Sequence, residues 1–291
     1  MNRYSLIEQL TCFCVLLLSC TSSTGQDWPI SRGPANEPEP YKFSRQHLQA
    51  APADFLEDAS ACLLYYGVTH RVDAEGSVET TVHEVTRLNS RKSIEELGEY
   101  RDMSYDPSYQ KFILNDARVI KPGGQTIEVQ PRHLKIRDVG TDYATYHPKK
   151  VVVISFPNLE VGDIYEVKWT TRGKDKEFGK HYFTRYSFGS TYYPVLRERL
   201  EIHLPKSRPL KYAAINGQVP VKVTNVGDKT VYRWLMKSKP ALPRDSDLPS
   251  REELRLQVMC STFPNWQAVA DWKSTLRKDC WTPPIPTPPL K

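Results

Sequence analysis

The chain has 291 residues, 39% of them hydrophobic and 25% charged, enough for one large core or two ordinary ones, so neither a metal nor a disulfide staple is required. Its net charge of +6 comes from Lys and Arg that are scattered rather than massed, which permits an anionic partner such as a membrane surface and gives no reason to expect nucleic acid. The 23 prolines against 14 glycines predict many rigid turns and strand edges.

Residues 1–25 read as an export signal. Arg3 is a short basic start, Leu10 to Leu18 is an apolar core too short to span a bilayer as a mature helix, and small residues follow, with Glu8 an uncommon intrusion. Leu17-Leu18-Ser19-Cys20 is similar to a bacterial lipobox, which would make Cys20 the site of lipid attachment and tether the protein to a membrane. Ser23-Thr24-Gly25 offers an ordinary small-residue cleavage site instead, and the two readings stay open. Either way the expected location is the periplasm or cell envelope. Residues 26–60 follow as a Pro-rich linker and a short helical segment divided by Pro52.

From 61 to 238 the pattern is β, and the fold class it predicts is mainly β: an antiparallel β-sandwich with one or two short helices and a C-terminal helix. Leu63 to Val68 and Val78 to Val85 flank the turn Asp73-Ala74-Glu75-Gly76 and form a hairpin. Ser93, with Glu96 three residues on, predicts the start of a short helix. Phe112 to Ile120 and Thr126 to Val129 flank Lys121-Pro122-Gly123-Gly124, a second hairpin. Lys149 to Gly173 then offers a β-branched run, Val151 to Phe156, and an alternating run, Ile164 to Trp169. These predict a central antiparallel pair, the first strand buried on both faces and the second on one. Strands follow at Tyr182 to Phe188, Leu196 to Leu204, Leu210 to Ile215, Val219 to Val223 and Val231 to Met236. Residues 239–264 are a Pro- and charge-rich connector, and Asn265 caps a helix from Trp266 to about Leu276, ahead of a Pro-rich tail.

No residue set predicts chemistry. Three of the six cysteines fall in the signal, which leaves Cys62, Cys260 and Cys280 at spacings that match no zinc pattern. Cys62 precedes six histidines (His70, His83, His133, His147, His181, His203), yet it enters a strand-like run without the lead into a helix that exposes a reactive thiol; a buried small residue is the better reading. Arg172 to Tyr186 interleaves basic and aromatic residues, as an acidic-polymer groove would, and equally as a protected strand edge would. The acidic pairs Asp138 with Asp142 and Asp245 with Asp247 read as solvated charge, not calcium ligands. The expected catalytic, metal and cofactor sets are empty.

Four separated stretches in order carry a resemblance: Ala117 to Gly124, Ile154 to Asp163, Ser190 to Val195 and Cys260 to Trp272. Through them the chain resembles the bacterial domain of unknown function found N-terminal to transglutaminase-like core domains, over about Ala61 to Trp272; Gly123 departs from the usual Asp. The resemblance implies that residues 265–291 are the vestigial start of a transglutaminase-like domain. Such a domain needs a Cys, a His and an Asp in that order beyond Trp272, and no His follows Cys260 or Cys280. The expected function is therefore a noncatalytic accessory or binding part, with a protein or cell-envelope component as partner. The alternatives are the N-terminal fragment of a Cys-dependent enzyme and a basic surface for acidic polymers.

Overall fold

The computed structural model describes residues 28–33, 59–139, 148–174, 179–190, 192–242, 249 and 251–280. The N-terminal stretch expected to be an export signal, with Cys20, most of the 26–60 segment, Asp142, His147, Asp245, Asp247 and the tail from Trp281 lie outside the described residues.

The strands in chain order are β1 (Ser31–Arg32), β2 (Ala61–Val72), β3 (Val78–Leu88), β4 (Glu99–Tyr105), β5 (Gln110–Ile120), β6 (Thr126–Glu128), β7 (Leu134–Asp138), β8 (Lys150–Ser155), β9 (Ile164–Gly173), β10 (Phe183–Ser187), β11 (Val195–Pro205), β12 (Lys211–Ile215), β13 (Val221–Val226), β14 (Lys229–Lys239) and β15 (Gln257–Ser261). Helices α1 (Arg91–Leu97), α2 (Arg251–Leu254) and α3 (Trp266–Cys280) interrupt them. The result is a mainly-β, sandwich-like fold. A nine-stranded sheet runs β1-β5-β9-β3-β2-β11-β14-β13 with β6 on β5, and two three-stranded sheets, β4-β8-β7 and β10-β15-β12, are separate from it. Most pairs are antiparallel, but β11 joins β2, and β1 joins β5, in parallel.

One apolar cluster ties the three sheets together. Val82, Leu114, Val167, Trp169, Leu200, Ile202 and Trp234 of the large sheet share it with Met103, Val152 and Ile154 of one small sheet and Val258 and Cys260 of the other. Aromatic contacts mark the two seams: Tyr100 meets Tyr165 and Trp169 edge-on, and Tyr212 meets Tyr232 and Trp234 edge-on.

Four expectations are corrected here. The β-branched strand β8 and the alternating strand β9 do not pair. Each is central in a different sheet, β8 between β4 and β7, and β9 between β5 and β3. The chain between them crosses from one sheet to the other, and the Phe156 ring just past β8 stacks on Tyr165 of β9 with ring centres 4.7 Å apart. Second, β9 is buried on both faces from Ile164 to Thr170, with Glu166 bonded across the sheet by His83 and Arg118 and Lys168 in register opposite Asp116. Third, the linker and the connector each hold a strand, β1 and β15, the latter central in its sheet. Fourth, the short helix is capped one turn earlier than Ser93: Ser90 is the cap and accepts from the Ser93 N–H at 3.2 Å. Asn265 does cap α3, accepting from the Ala268 N–H at 2.9 Å.

Two stretches that carried the resemblance also hold the crossover. Lys121 Nζ, in the turn after β5, donates to the Asn158 carbonyl at 2.6 Å and to Asp163 at 2.7 Å. Asp163 is fully buried and also accepts from the Glu160 N–H at 2.8 Å. Gly162 takes φ +94°, a backbone that L side chains rarely adopt.

Candidate functional site

A Cys-dependent reaction needs an accessible thiol that ionises near neutral pH. Cys62 lies in a buried cluster with Leu64, Tyr65, Val85, Ile164 and Leu196, and burial pushes its pKa up to about 12 against the weaker pull of Arg87. Cys260 sits on β15, where burial likewise pushes it up to about 12. Both are free and buried, so neither supplies a thiolate near neutral pH. The described histidines are engaged elsewhere: His70 with Thr80, His83 with Glu166, His133 with the Gln130 N–H, His203 with Glu201, and His181 stacked on Phe263. Among the described residues no three His, Cys, Asp or Glu are placed to hold a metal, and no helix is long and apolar enough to cross a membrane.

The basic and aromatic run is dispersed. Arg172 bonds Glu79, Arg185 bonds Gln257 at 2.7 Å, and Tyr182 is buried while Phe183 is exposed. Asp138 pairs with Lys150 at 2.9 Å.

A charged layer that the sequence did not reveal shares the large-sheet face opposite the main core with the smaller apolar cluster around Cys62. Glu166 accepts from His83 Nε2 at 2.8 Å and from Arg118 Nε and Nη2 at 2.9 and 2.7 Å, with Asp116 3.6 Å from Arg118. Burial alone would raise the Glu166 pKa, but the His83 bond and the charges of His83 and Arg118 together hold it below the ordinary value. Three strands along the sheet from Glu166, Glu201 accepts from His203 at 2.6 Å and Arg233 at 2.5 Å, and its pKa falls to about 2; burial opposes that shift, and His203, Arg233 and Arg199 outweigh it. Between the two groups lies Gly67, where a Cβ would meet the Tyr65 hydroxyl at 2.3 Å. These carboxylates are buried and clamped, which suits them to fixing strand register and leaves no room for a substrate.

Two surface features offer accessible space. The first is a cleft of about 750 Å³ over the core face, lined from one side by α1 and β4 and from the other by β10 and the turn before β11. Its floor is one cross-strand row, Glu84 on β3, Tyr66 on β2 and Glu198 on β11. Glu84 accepts from the hydroxyls of Tyr100, Tyr165 and Thr86 at 2.9, 2.6 and 2.9 Å. Glu198 accepts from Tyr186 Oη at 2.8 Å and the Gly189 N–H at 2.6 Å. Burial raises the Glu198 pKa, and the Gly189 bond, the Tyr186 bond and the charge of Arg255 pull against it. Tyr192 and Tyr193 form the rim, where Tyr193 Oη donates to Glu96 at 2.7 Å.

The second is an apolar groove of about 600 Å³ formed by β12, β15 and α3, lined by Phe183, Tyr212, Phe263, Trp266, Val269 and Trp272. Trp266 is 86% exposed, whereas Trp272 reaches in to Phe263 with ring centres 5.6 Å apart.

The chain is a mainly-β domain of three sheets whose thiols at Cys62 and Cys260 are buried and whose surface carries a cleft and an apolar groove. The family follows from the sequence: the model of DUF3857, a domain of unknown function with a solved structure, matches residues 74–243, so the chain belongs to that family. No curated protein matches it. In fold it is similar to the crystal structure of a candidate protease from Parabacteroides distasonis ATCC 8503, at TM-score 0.68 and 18% identity, over 75% of this chain and 43% of that one. An M1 zinc metallopeptidase from Deinococcus radiodurans aligns at TM-score 0.37 and 11% identity, over 70% of this chain and 43% of its own. The chain thus spans less than half the length of these solved neighbours.

Proposed function

We propose that this chain is a noncatalytic, exported binding domain, the accessory part of a transglutaminase-like protein, and that its apolar groove seats the transglutaminase-like module. The observation that carries this reading is the exposed Trp266 over a groove walled by Phe183, Tyr212, Phe263 and Trp272, a kind of surface that marks protein contact. The length of the Parabacteroides neighbour supports it, since more than half of that chain lies beyond the shared fold. The two buried thiols, both pushed up to about 12, favour binding over covalent chemistry. The same difference in length also favours a second reading, in which this is the N-terminal piece of a Cys-dependent enzyme.

Purified protein should show no thiol-dependent amidase, crosslinking or protease turnover, and any such turnover would sink the first reading. Sequencing the coding DNA beyond the Lys291 codon in all three frames separates the two: a continuing domain with Cys, His and Asp in order gives the fragment. If the module lies in a separate frame, co-expression and calorimetry should show a complex that Trp266→Ser weakens. Mass spectrometry of the mature N-terminus decides between lipid on Cys20 and simple cleavage.

A further inference from the structure

The cleft over Glu84, Tyr66 and Glu198 is distinct from the apolar groove and has its own chemistry. Five glutamates line it, Glu84, Glu95, Glu96, Glu99 and Glu198, against two arginines, Arg185 and Arg255, in a chain of net charge +6. Both arginines are committed to protein acceptors: Arg185 to Gln257, and Arg255 to the carbonyls of Ser187 at 2.6 Å and Phe188 at 3.4 Å. Glu198 is 4% exposed; it accepts from a phenol hydroxyl and a backbone amide and feels the charge of Arg255, but forms no direct ion pair among the described residues. An arriving cation would restore the ionised form that burial disfavours there. Tyr66 lies between the two floor carboxylates, whose backbones are two strand spacings, about 10 Å, apart. That span suits one basic side chain laid over the ring and reaching either carboxylate.

The walls say what kind of molecule brings the cation. β4 and β10 are edge strands of their sheets, and among the described residues each pairs on one side only, β4 with β8 and β10 with β15. Residues of both edges line the cleft: Glu99 and Tyr100 from one, Arg185 to Ser187 from the other. An open strand edge beside a slot is the receptor for an extended backbone, and pockets for alternate side chains supply selectivity. The volume, about 750 Å³, admits a few residues of such a strand.

We propose that this cleft binds an extended polypeptide segment rich in lysine or arginine, which adds to a strand edge and directs a basic side chain onto the Glu84–Tyr66–Glu198 floor. A fluorescein-labelled octapeptide of alternating lysine and threonine, titrated by polarisation near physiological salt, should bind saturably and one to one despite the positive charge of the protein. Glu95→Lys, on the exposed face of α1 where folding is unaffected, should weaken it about tenfold. Glu198→Gln, verified as folded by its melting curve, should weaken it as well. A peptide of the same charge, N-methylated at alternate residues, should bind about tenfold more weakly because it cannot complete the strand. Trp266→Ser should leave binding unchanged, so this site and the apolar groove can fail separately. Absence of saturable binding, indifference to Glu95→Lys, equal binding of the N-methylated peptide, or equal competition by a chitosan tetramer would each overturn the proposal.

Discussion

The two faces of the nine-stranded sheet are built from alternate residues of the same strands, yet they solve burial in opposite ways. On one face Val82, Val167, Trp169, Leu200 and Trp234 pack against the small sheets. On the other, His83, Glu166, Arg199 and Glu201 are as deeply buried, and each carboxylate is clamped by cationic partners. The comparison teaches that burial alone does not make a core. The first face gains from removing apolar area from water, roughly 25 cal/mol per Å². The second recovers its desolvation cost through charge pairing, so its net contribution is small while the loss of any one partner is large.

The largest single effect is expected on the apolar face. Trp234 is almost fully buried, stacks on Tyr232 and receives the edge of Tyr212, so Trp234→Ala should cost about 3–5 kcal/mol, read from the urea midpoint at constant slope. On the polar face, Glu166→Gln keeps an acceptor for His83 or Arg118 but removes the charge that both rely on, and should cost about 2 kcal/mol. A double-mutant cycle with Arg118→Gln should return a coupling of about 1 kcal/mol or more; additivity would mean that the layer is not a network.

How much of this contrast the sequence carried depends on what each pattern encodes. The strand runs were legible, as were the turns at Asp73 to Gly76 and Lys121 to Gly124, because β-branched clusters and Gly-containing turns are local. The partner of a strand is not local. Val151 to Phe156 and Ile164 to Trp169 look like a hairpin by composition, and only the structure shows that they lie in different sheets, joined by the Phe156–Tyr165 stack. In the same way Glu166 and Lys168 read as the solvated face of a central alternating strand, since their cross-strand neighbours, Arg118 and Asp116 on β5, lie far away in the sequence. The acidic cleft was invisible for the same reason, with lining that runs from Leu63 to Arg255. The apolar groove was half visible: the helix from Trp266 was legible, but β15 was read as connector, so the wall opposite was missing.

Acid should attack the two faces in sequence. His70, on the core face of β2, has its pKa lowered from 6.5 to about 4 by burial, so its neutral form is the one that fits. The unfolded chain binds that proton first; the stability His70 contributes is complete above pH 6.5 and is lost as pH falls towards 4. Glu201, on the charged face, falls from 4.5 to about 2 and contributes above pH 4.5, with loss as pH drops towards 2. Each limb is worth about 2 kcal/mol, and His70→Asn should flatten the upper limb while leaving the lower one in place. A single limb centred near pH 4.5 that ignores the substitution would mean that His70 does not titrate in this way.

The smallest effect on stability is expected at Trp266, the residue on which the proposed docking rests. Trp266 is exposed at the start of α3, where its ring adds apolar surface to the groove without filling the core, so Trp266→Ser should change stability by less than about 0.5 kcal/mol. Trp272, half-buried with its ring against that of Phe263, makes the control on the same helix: Trp272→Ser should destabilise measurably, because that ring contact helps to hold α3 against the end of β15. If both substitutions were neutral in a denaturant titration, α3 would not be packed on the sheet and the groove would lose one wall. If both were equally destabilising, Trp266 would belong to the core and not to a docking surface. A neutral Trp266→Ser beside a costly Trp272→Ser is the pattern that leaves an exposed aromatic with binding as its physical reason to be there.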